Sequence, residues 1–366
     1  MSGPATITPT LLLLLVREES TAPSNPFWDL WVKPNLHENR TLYTMSNLNV
    51  AVIGSPDYSK ELGKIGTISD ITFFNLKKEE VTVTIIEPAR YPEKLSSLFY
   101  AISMAQKAVL VVDEINAQFG ESVLMLHCAG LSNGILILRN YITPEQVAPL
   151  IRDTVVGGYE LFEDDRMRLR EHLLDEAAKI EEVHPTAATP PGAMPVDHSF
   201  PVKGIGTVVL GCVVNGVIRR HDNLRVLPTK HVALVRSIQK HDADADIAYP
   251  GDRIGFALKG VEAEDLERGY VLSKDPALTS SSTIHGRAEL IKYWPTALKE
   301  GMVLYIGHWM QFIPSKVAYV NNAGDWHRPE LTLKTEKELV YPPGARAVLH
   351  YLEGGKLRVV GTIIIE

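Results

Sequence analysis

From Leu48 onward, short continuous apolar runs alternate with stretches in which apolar residues recur at helical spacing. Val50-Ala51-Val52-Ile53, ending in Gly54, reads as a buried strand, as do the β-branched run 81–87 and the runs 108–113 and 135–138. Between them Leu95, Leu98, Phe99, Ile102 and Ala105 predict one helix, and a helical stretch around 123–129 stops at Gly130. Thr143 caps a helix opening with Pro144, and Asp164 or Asp165 caps a last helix with Leu169, Leu173, Ala177 and Ile180 on one face. Such alternation predicts a parallel α/β sheet.

The pattern breaks at residues 185–195, where four prolines and a run of threonines and alanines read as a linker. Everything beyond reads as strands. Residues 207–214, Asn215-Gly216 and Val217-Ile218 predict a hairpin, with the dipeptide that a type I′ turn demands. Strands follow at 253–259 and 270–273. After Asp275-Pro276 and a serine cluster, a second set comes at 288–293, 303–306, 331–335, 347–352 and 357–365, with Glu353-Gly354-Gly355-Lys356 as its final turn. The expected fold class is α/β plus all-β. A parallel-sheet domain at 45–184 precedes the linker, and two β-barrels follow at 196–280 and 281–366. Residues 1–44, proline-rich and without period, read as a poorly ordered extension, with Met45 a candidate translation start.

Composition narrows the classes. A chain of 366 residues, 45% hydrophobic and 22% charged, is not disordered throughout. Its net charge of −7 excludes a global positive field that coats nucleic acid, though not a local basic face. The aliphatic run 11–16 is far below the roughly 20 residues a bilayer needs, and Arg17 follows it rather than preceding it. Neither a membrane span nor a secretory leader is expected, and the expected location is the cytoplasm. Cys128 and Cys212 lie in apolar runs and read as buried, reduced thiols.

Residues 196–276 carry the strongest signal. Phe200-Pro201-Val202-Lys203-Gly204-Ile205-Gly206-Thr207-Val208-Val209 is followed by Gly211, Gly216-Val217-Ile218, Pro250-Gly251-Asp252 and Leu258-Lys259-Gly260-Val261. The stretch closes on Asp265-Leu266-Glu267-Arg268-Gly269-Tyr270-Val271-Leu272. In order and spacing this resembles domain 2 of the translational GTPases, specifically the elongation factor Tu and SelB group. Val359-Val360-Gly361-Thr362-Ile363-Ile364-Ile365 is similar to the close of domain 3. The nearest resemblance is to SelB-like elongation factors of methanogenic archaea, the EF-Pyl type. It implies a P-loop-GTPase-like first domain and no carboxy-terminal module for reading an RNA hairpin.

The resemblance reaches the first domain, where the nucleotide motifs are altered one after another. Gly54-Ser55-Pro56-Asp57-Tyr58-Ser59-Lys60-Glu61 stands at the phosphate loop. Gly54, Asp57 and Lys60 are kept. Ser59 replaces the glycine before the lysine, and Glu61 the hydroxyl that ligates magnesium. Glu87-Pro88-Ala89-Arg90-Tyr91 stands for Asp-x-x-Gly-His, which puts Tyr91 where the family has its water-positioning histidine. Arg139-Asn140-Tyr141-Ile142 stands for Asn-Lys-x-Asp, so apolar Ile142 replaces the carboxylate that accepts guanine protons. Phe162-Glu163-Asp164 aligns loosely with the Ser-Ala stretch. Little room is left between Lys60 and a strand near 70–75 for the usual helix and first switch. A plain strand-to-loop turn at 54–61 is the competing reading.

The leading expectation is therefore a fold-retaining relative that binds aminoacyl-tRNA, with the ribosome as a further partner and no membrane association. No catalytic residue, metal or cofactor is expected. Arg253 and Lys259 are the candidate tRNA contacts, and Gly54, Asp57, Lys60, Glu61 and Glu87 the degenerate nucleotide positions. One alternative is a GTPase with Lys60 on phosphate and Glu61 or Glu87 on magnesium. Another is a regulatory interaction protein that binds no tRNA. His221, His231 and His241 read as surface histidines, His308-Trp309-Met310 and Trp326-His327 as packing, and Arg166, Arg168 and Arg170 as a solvated face.

Overall fold

The computed structural model describes residues 46–180, 189–241, 243–322, 324–353 and 357–366. The readings for residues 1–44, for Met45 and for the turn at 354–356 lie outside the described residues, as does the first part of the linker.

The first domain is one sheet of β1 (Ser46–Ile53), β2 (Lys64–Ile68), β3 (Thr72–Lys78), β4 (Val81–Glu87), β5 (Lys107–Val112), β6 (Gly134–Leu138) and β7 (Glu160–Phe162). The order is β2-β3-β4-β1-β5-β6-β7. The five strands from β4 to β7 run parallel, and β2 and β3 add an antiparallel edge. Helices α1 (Leu95–Ser103), α2 (Ala117–Ala129), α3 (Pro144–Ile151) and α4 (Arg166–Ala178) cover it. Strand positions alternate between the two faces: Ala108 and Leu110 pack with α1 and α2, while Val109 and Val111 pack with Leu169, Leu173 and Ala177 of α4. Helix α2 starts several residues before the predicted stretch, because the Asn116 side chain accepts the Phe119 N–H and caps it there. Asp165, not Asp164, caps α4, accepting from Met167 and Arg168. Asp164 is engaged elsewhere.

The second domain contains β8 (Ala193–Val202), β9 (Gly206–Cys212), β10 (Ile218–Arg219), β11 (Asn223–Leu227), β12 (Val232–Lys240), β13 (Ala243–Ala245), β14 (Ile247–Ala248), β15 (Arg253–Lys259) and β16 (Val271–Ser273). The sequence β11-β16-β8-β9-β15-β12 closes into a barrel through the β11–β12 pair. Two expectations are corrected. Strand β8 begins inside the predicted linker, since Ala193–Pro195 pair with β16. Asn215-Gly216 closes no hairpin either: β9 lies between β8 and β15, and β10 pairs with β14. Gly216 serves a close approach instead, at φ +54°, where a Cβ would lie 2.4 Å from the Pro191 carbonyl.

In the third domain β17 (Thr279–Leu290), β18 (Val303–His308), β19 (Gln311–Asn321), β20 (Glu330–Tyr341), β21 (Arg346–His350) and β22 (Val359–Ile365) close a barrel in the order β17-β20-β19-β18-β21-β22. The serine cluster lies within β17, at a register shift between Ser281 and Thr283, rather than ahead of it. Among the described residues no helix is long and apolar enough to cross a membrane.

The three bodies are docked by specific contacts. Fully buried Asp197 on β8 lies 3.3 Å from Arg253 and 3.6 Å from Arg268. Arg268 reaches on to Asp70, between β2 and β3, with bonds of 2.7 and 2.8 Å. The Arg253 guanidinium stands 3.4 Å from the Phe73 ring centroid. Between the first and third domains, Arg358 pairs with Glu121, and Phe99 packs against Phe312 and His350. Gly307 permits that contact, since a Cβ there would meet the Phe99 ring at 2.6 Å.

Burial pushes the Asp197 pKa up, but His198, Arg253 and Arg268 outweigh it and hold the carboxylate below its ordinary value. Its stabilising contribution is therefore present above about pH 3.9 and is lost as pH falls through the folded value. Asp197→Ala strands two guanidinium groups. It should cost about 3–5 kcal/mol in denaturant unfolding and flatten the acid limb of the stability profile.

Candidate functional site

The crevice at the carboxyl ends of parallel strands is where open α/β sheets bind ligands. Strand β1 arrives there at Gly54, φ +98°, where a Cβ would sit 2.1 Å from the Val111 carbonyl. The chain then makes a single 3-10 turn, Tyr58–Glu61, and enters β2 at Lys64. No α-helix stands between them, in keeping with the tight spacing.

The amide hydrogens of Asp57, Tyr58, Ser59 and Lys60 in this loop have acceptors within the chain. Glu87, at the end of β4, accepts from Asp57 N–H at 2.8 Å and from Ser59 N–H at 3.4 Å, one carboxylate oxygen for each. Asp57 holds a left-handed conformation, φ +63°, which turns its amide toward that carboxylate. Lys60 folds back onto Asp57 at 2.8 Å, and that bond raises its pKa. Glu61 points instead toward Arg166, at 3.7 Å. Lys60, Glu61 and Glu87 thus face separate partners.

The base-reading position is filled as well. Arg139, at the end of β6, donates to Asp113 at 2.7 Å, to Asp164 at 2.9 Å and to Ser55 Oγ at 3.2 Å. Asp164 also accepts from Tyr58 Oη at 2.9 Å and pairs with Arg166, whose guanidinium lies over the Tyr58 ring. Partial burial raises the Asp164 pKa, but Arg166 and Tyr58 outweigh it and the carboxyl is held down. The Tyr58 phenol is pushed up, first by burial and then by Asp164. Ile142 packs against the main core and offers no acceptor. Tyr91 turns away, its hydroxyl donating to the Gln118 carbonyl at 3.0 Å.

The GTP and magnesium implied by the resemblance do not fit these residues. The Glu87 carboxylate already takes the Asp57 and Ser59 amide hydrogens, and Asp57, Glu61 and Glu87 put negative charge around the same loop.

On the second barrel the two candidate contacts part company. Lys259 is exposed at the end of β15, whereas Arg253 is buried between Asp197 and Phe73. Arg253 cannot reach an RNA phosphate without abandoning a buried carboxylate, so its assignment as a contact is corrected: it docks the barrel on the sheet. Arg166, Arg168 and Arg170 are likewise committed, to Asp164, to Glu163 and to the Glu61 carbonyl. His221, His231 and His241 sit on separate turns, and no metal-holding cluster exists among the described residues. His308 is buried, and Trp309 packs beside the contact between the two barrels.

Sequence reasoning missed Arg139 and Asp164 as a pair, and Asp70, Asp197 and Arg268 as a docking cluster. One signal was available: Asp197 interrupts an otherwise apolar strand start and has to find a cation. If Glu87 carries the loop, Glu87→Ala should cost about 1 kcal/mol locally. Amide exchange at Asp57 and Ser59 should then accelerate several-fold by hydrogen-exchange mass spectrometry, while exchange in the barrels stays unchanged.

Comparison with known proteins agrees with the fold. Residues 206–273 match the family Elongation factor Tu domain 2. The uncharacterised protein MJ0325 of Methanocaldococcus jannaschii is 34% identical over 87% of this chain and 99% of its own length. The selenocysteine-specific elongation factor of the same organism is 26% identical over 77% of the chain, which spans 64% of that protein. Elongation factor 1-alpha of Thermofilum pendens is 27% identical over 67% of the chain and 65% of its own length. In fold, the elongation factor SelB of Methanococcus maripaludis with a GTP analogue superposes with a TM-score of 0.73, at 22% identity, over 88% of this chain and 79% of that one. The chain belongs to the translational GTPase superfamily, in its SelB-like branch.

Proposed function

We propose that this protein is a cytoplasmic SelB-like translation factor relative that carries aminoacyl-tRNA on its barrels without a nucleotide switch, with the ribosome as a further partner. Within the branch we assign it to the EF-Pyl type. The observation that carries the reading is the Glu87 carboxylate on the amides of Asp57 and Ser59. A loop satisfied from within needs no phosphate to hold its shape. Arg139 and Asp164 close the adjacent base position in the same way.

The second barrel supports the other half of the reading. It keeps the family's glycine and strand pattern from Phe200 to Leu272 and presents Lys259, which among the described residues has no carboxylate partner, to solvent. RNA binding by a chain of net charge −7 rests on a few such phosphate contacts rather than on a global field.

Calorimetry should detect no GTP binding tighter than roughly 100 μM, about 5.5 kcal/mol. Low-micromolar affinity with GTP preferred over ATP would overturn the reading in favour of a working GTPase. Gel shifts with aminoacylated tRNA should lose affinity as salt rises, by a slope of roughly −0.7 to −0.9 per phosphate contact. Lys259→Ala should flatten the slope by about one contact, and Lys60→Ala should leave it unchanged. No shift at low salt would leave only an interaction protein that binds no tRNA.

A further inference from the structure

Away from the phosphate loop, a cavity of about 390 Å³ lies between the last turns of α2 and the third barrel. Leu124, His127 and Cys128 of α2 form one side, and Ile291, Arg346 and Thr362 of the barrel the other. The volume falls in the range of small-molecule sites, which favour boundaries between domains.

Charge pairing around the rim is uneven. Lys292 is held by Asp153 at 2.5 Å and Arg328 by Glu289 at 3.3 Å, while Asp325 turns to His327 at 3.5 Å. Arg346, exposed at the start of β21, has no acidic partner among the described residues. Leu124 and Cys128, across from it, carry no charge, and the three carboxylates that line the cavity, Asp153, Glu289 and Asp325, each face another partner. Burial, then Arg346, lowers the His127 pKa against an opposing effect of Glu289, and burial pushes the Cys128 thiol up to about 12. His127 Nδ1 is buried without a hydrogen-bond partner. Leu124 and Ile291 are largely buried and supply apolar wall.

An unpaired guanidinium fork and apolar walls in one cleft suit a compact molecule with an oxyanion at one end. We propose that this cavity binds a small organic oxyanion, a carboxylate or a phosphate monoester, that bridges the first domain and the third barrel. Arg346 grips the oxyanion, and the apolar body lies against Leu124 and Ile291. The site is independent of the tRNA reading, because it shares no residue with the phosphate loop or with Lys259.

The test is thermal unfolding of the full chain with phenyl phosphate, phenylacetate or inorganic phosphate. Phenyl phosphate or phenylacetate should raise Tm with increasing concentration, and the better of the two names the headgroup. Inorganic phosphate, lacking the body, should act more weakly. Arg346→Gln, a surface change, should lower the apparent affinity by about tenfold or more. Arg346→Lys should fall between, since it keeps the charge and loses the fork. Lys259→Ala should respond as wild type. No Tm rise in wild type with either aromatic probe, or the same rise in Arg346→Gln, would overturn the proposal.

Discussion

The carboxylate of Glu87 on the amide hydrogens of Asp57 and Ser59 is the contact around which the first domain is arranged. A tight turn at a strand end gathers N–H groups that need acceptors. An anion meets that need most strongly, and it can come from a ligand or from the chain itself. Here the acceptor arrives from β4, the strand hydrogen-bonded beside β1. With the turn closed from within, a single 3-10 turn suffices before β2, where a phosphate loop would feed a full helix. The neighbouring position follows the same rule. Arg139 and Arg166 neutralise Asp164, and Tyr58 completes its coordination, so the crevice holds a compact internal salt-bridge network.

Domain docking follows a parallel logic. Asp70, the element of the first domain that grips the second, lies between β2 and β3, directly after the shortened loop. Arg268 joins it to Asp197, and Arg253 shields the cluster under Phe73. Buried ions are costly unless paired, and removing one partner costs more than the pair contributes. The cluster therefore specifies one arrangement of sheet and barrel. The side-chain bonds of Arg268 and Arg253 go to Asp70, Asp197 and Phe73 and not to Glu87, Lys60 or Arg139.

Much of this was legible in the sequence, and the exceptions share a cause. Strand and helix alternation in the first domain and the strand-rich barrels are local patterns, and each appears where it was expected. The errors arose where a distant partner decided. Asn215-Gly216 has the composition of a hairpin turn, yet β15 takes the place beside β9, and Gly216 serves a close approach to Pro191. Ala193–Pro195 reads as linker until β16, nearly eighty residues later, pairs with it. Arg253 looks like a surface cation on a barrel strand, and only the packing of β8 and Phe73 shows its charge to be spent. Arg139 was read only as part of an altered base-reading motif. Its new role depends on Asp113 and Asp164, both remote in the chain.

The most direct measurement is the affinity of the wild-type protein for one aminoacylated tRNA, taken in parallel with GTP and magnesium, with GDP and magnesium, and with no nucleotide. If the loop is held by Glu87 rather than by phosphate, the three affinities should agree within experimental error. A large preference for the GTP condition would show that nucleotide still sets the tRNA-binding state, and would contradict carriage without a switch.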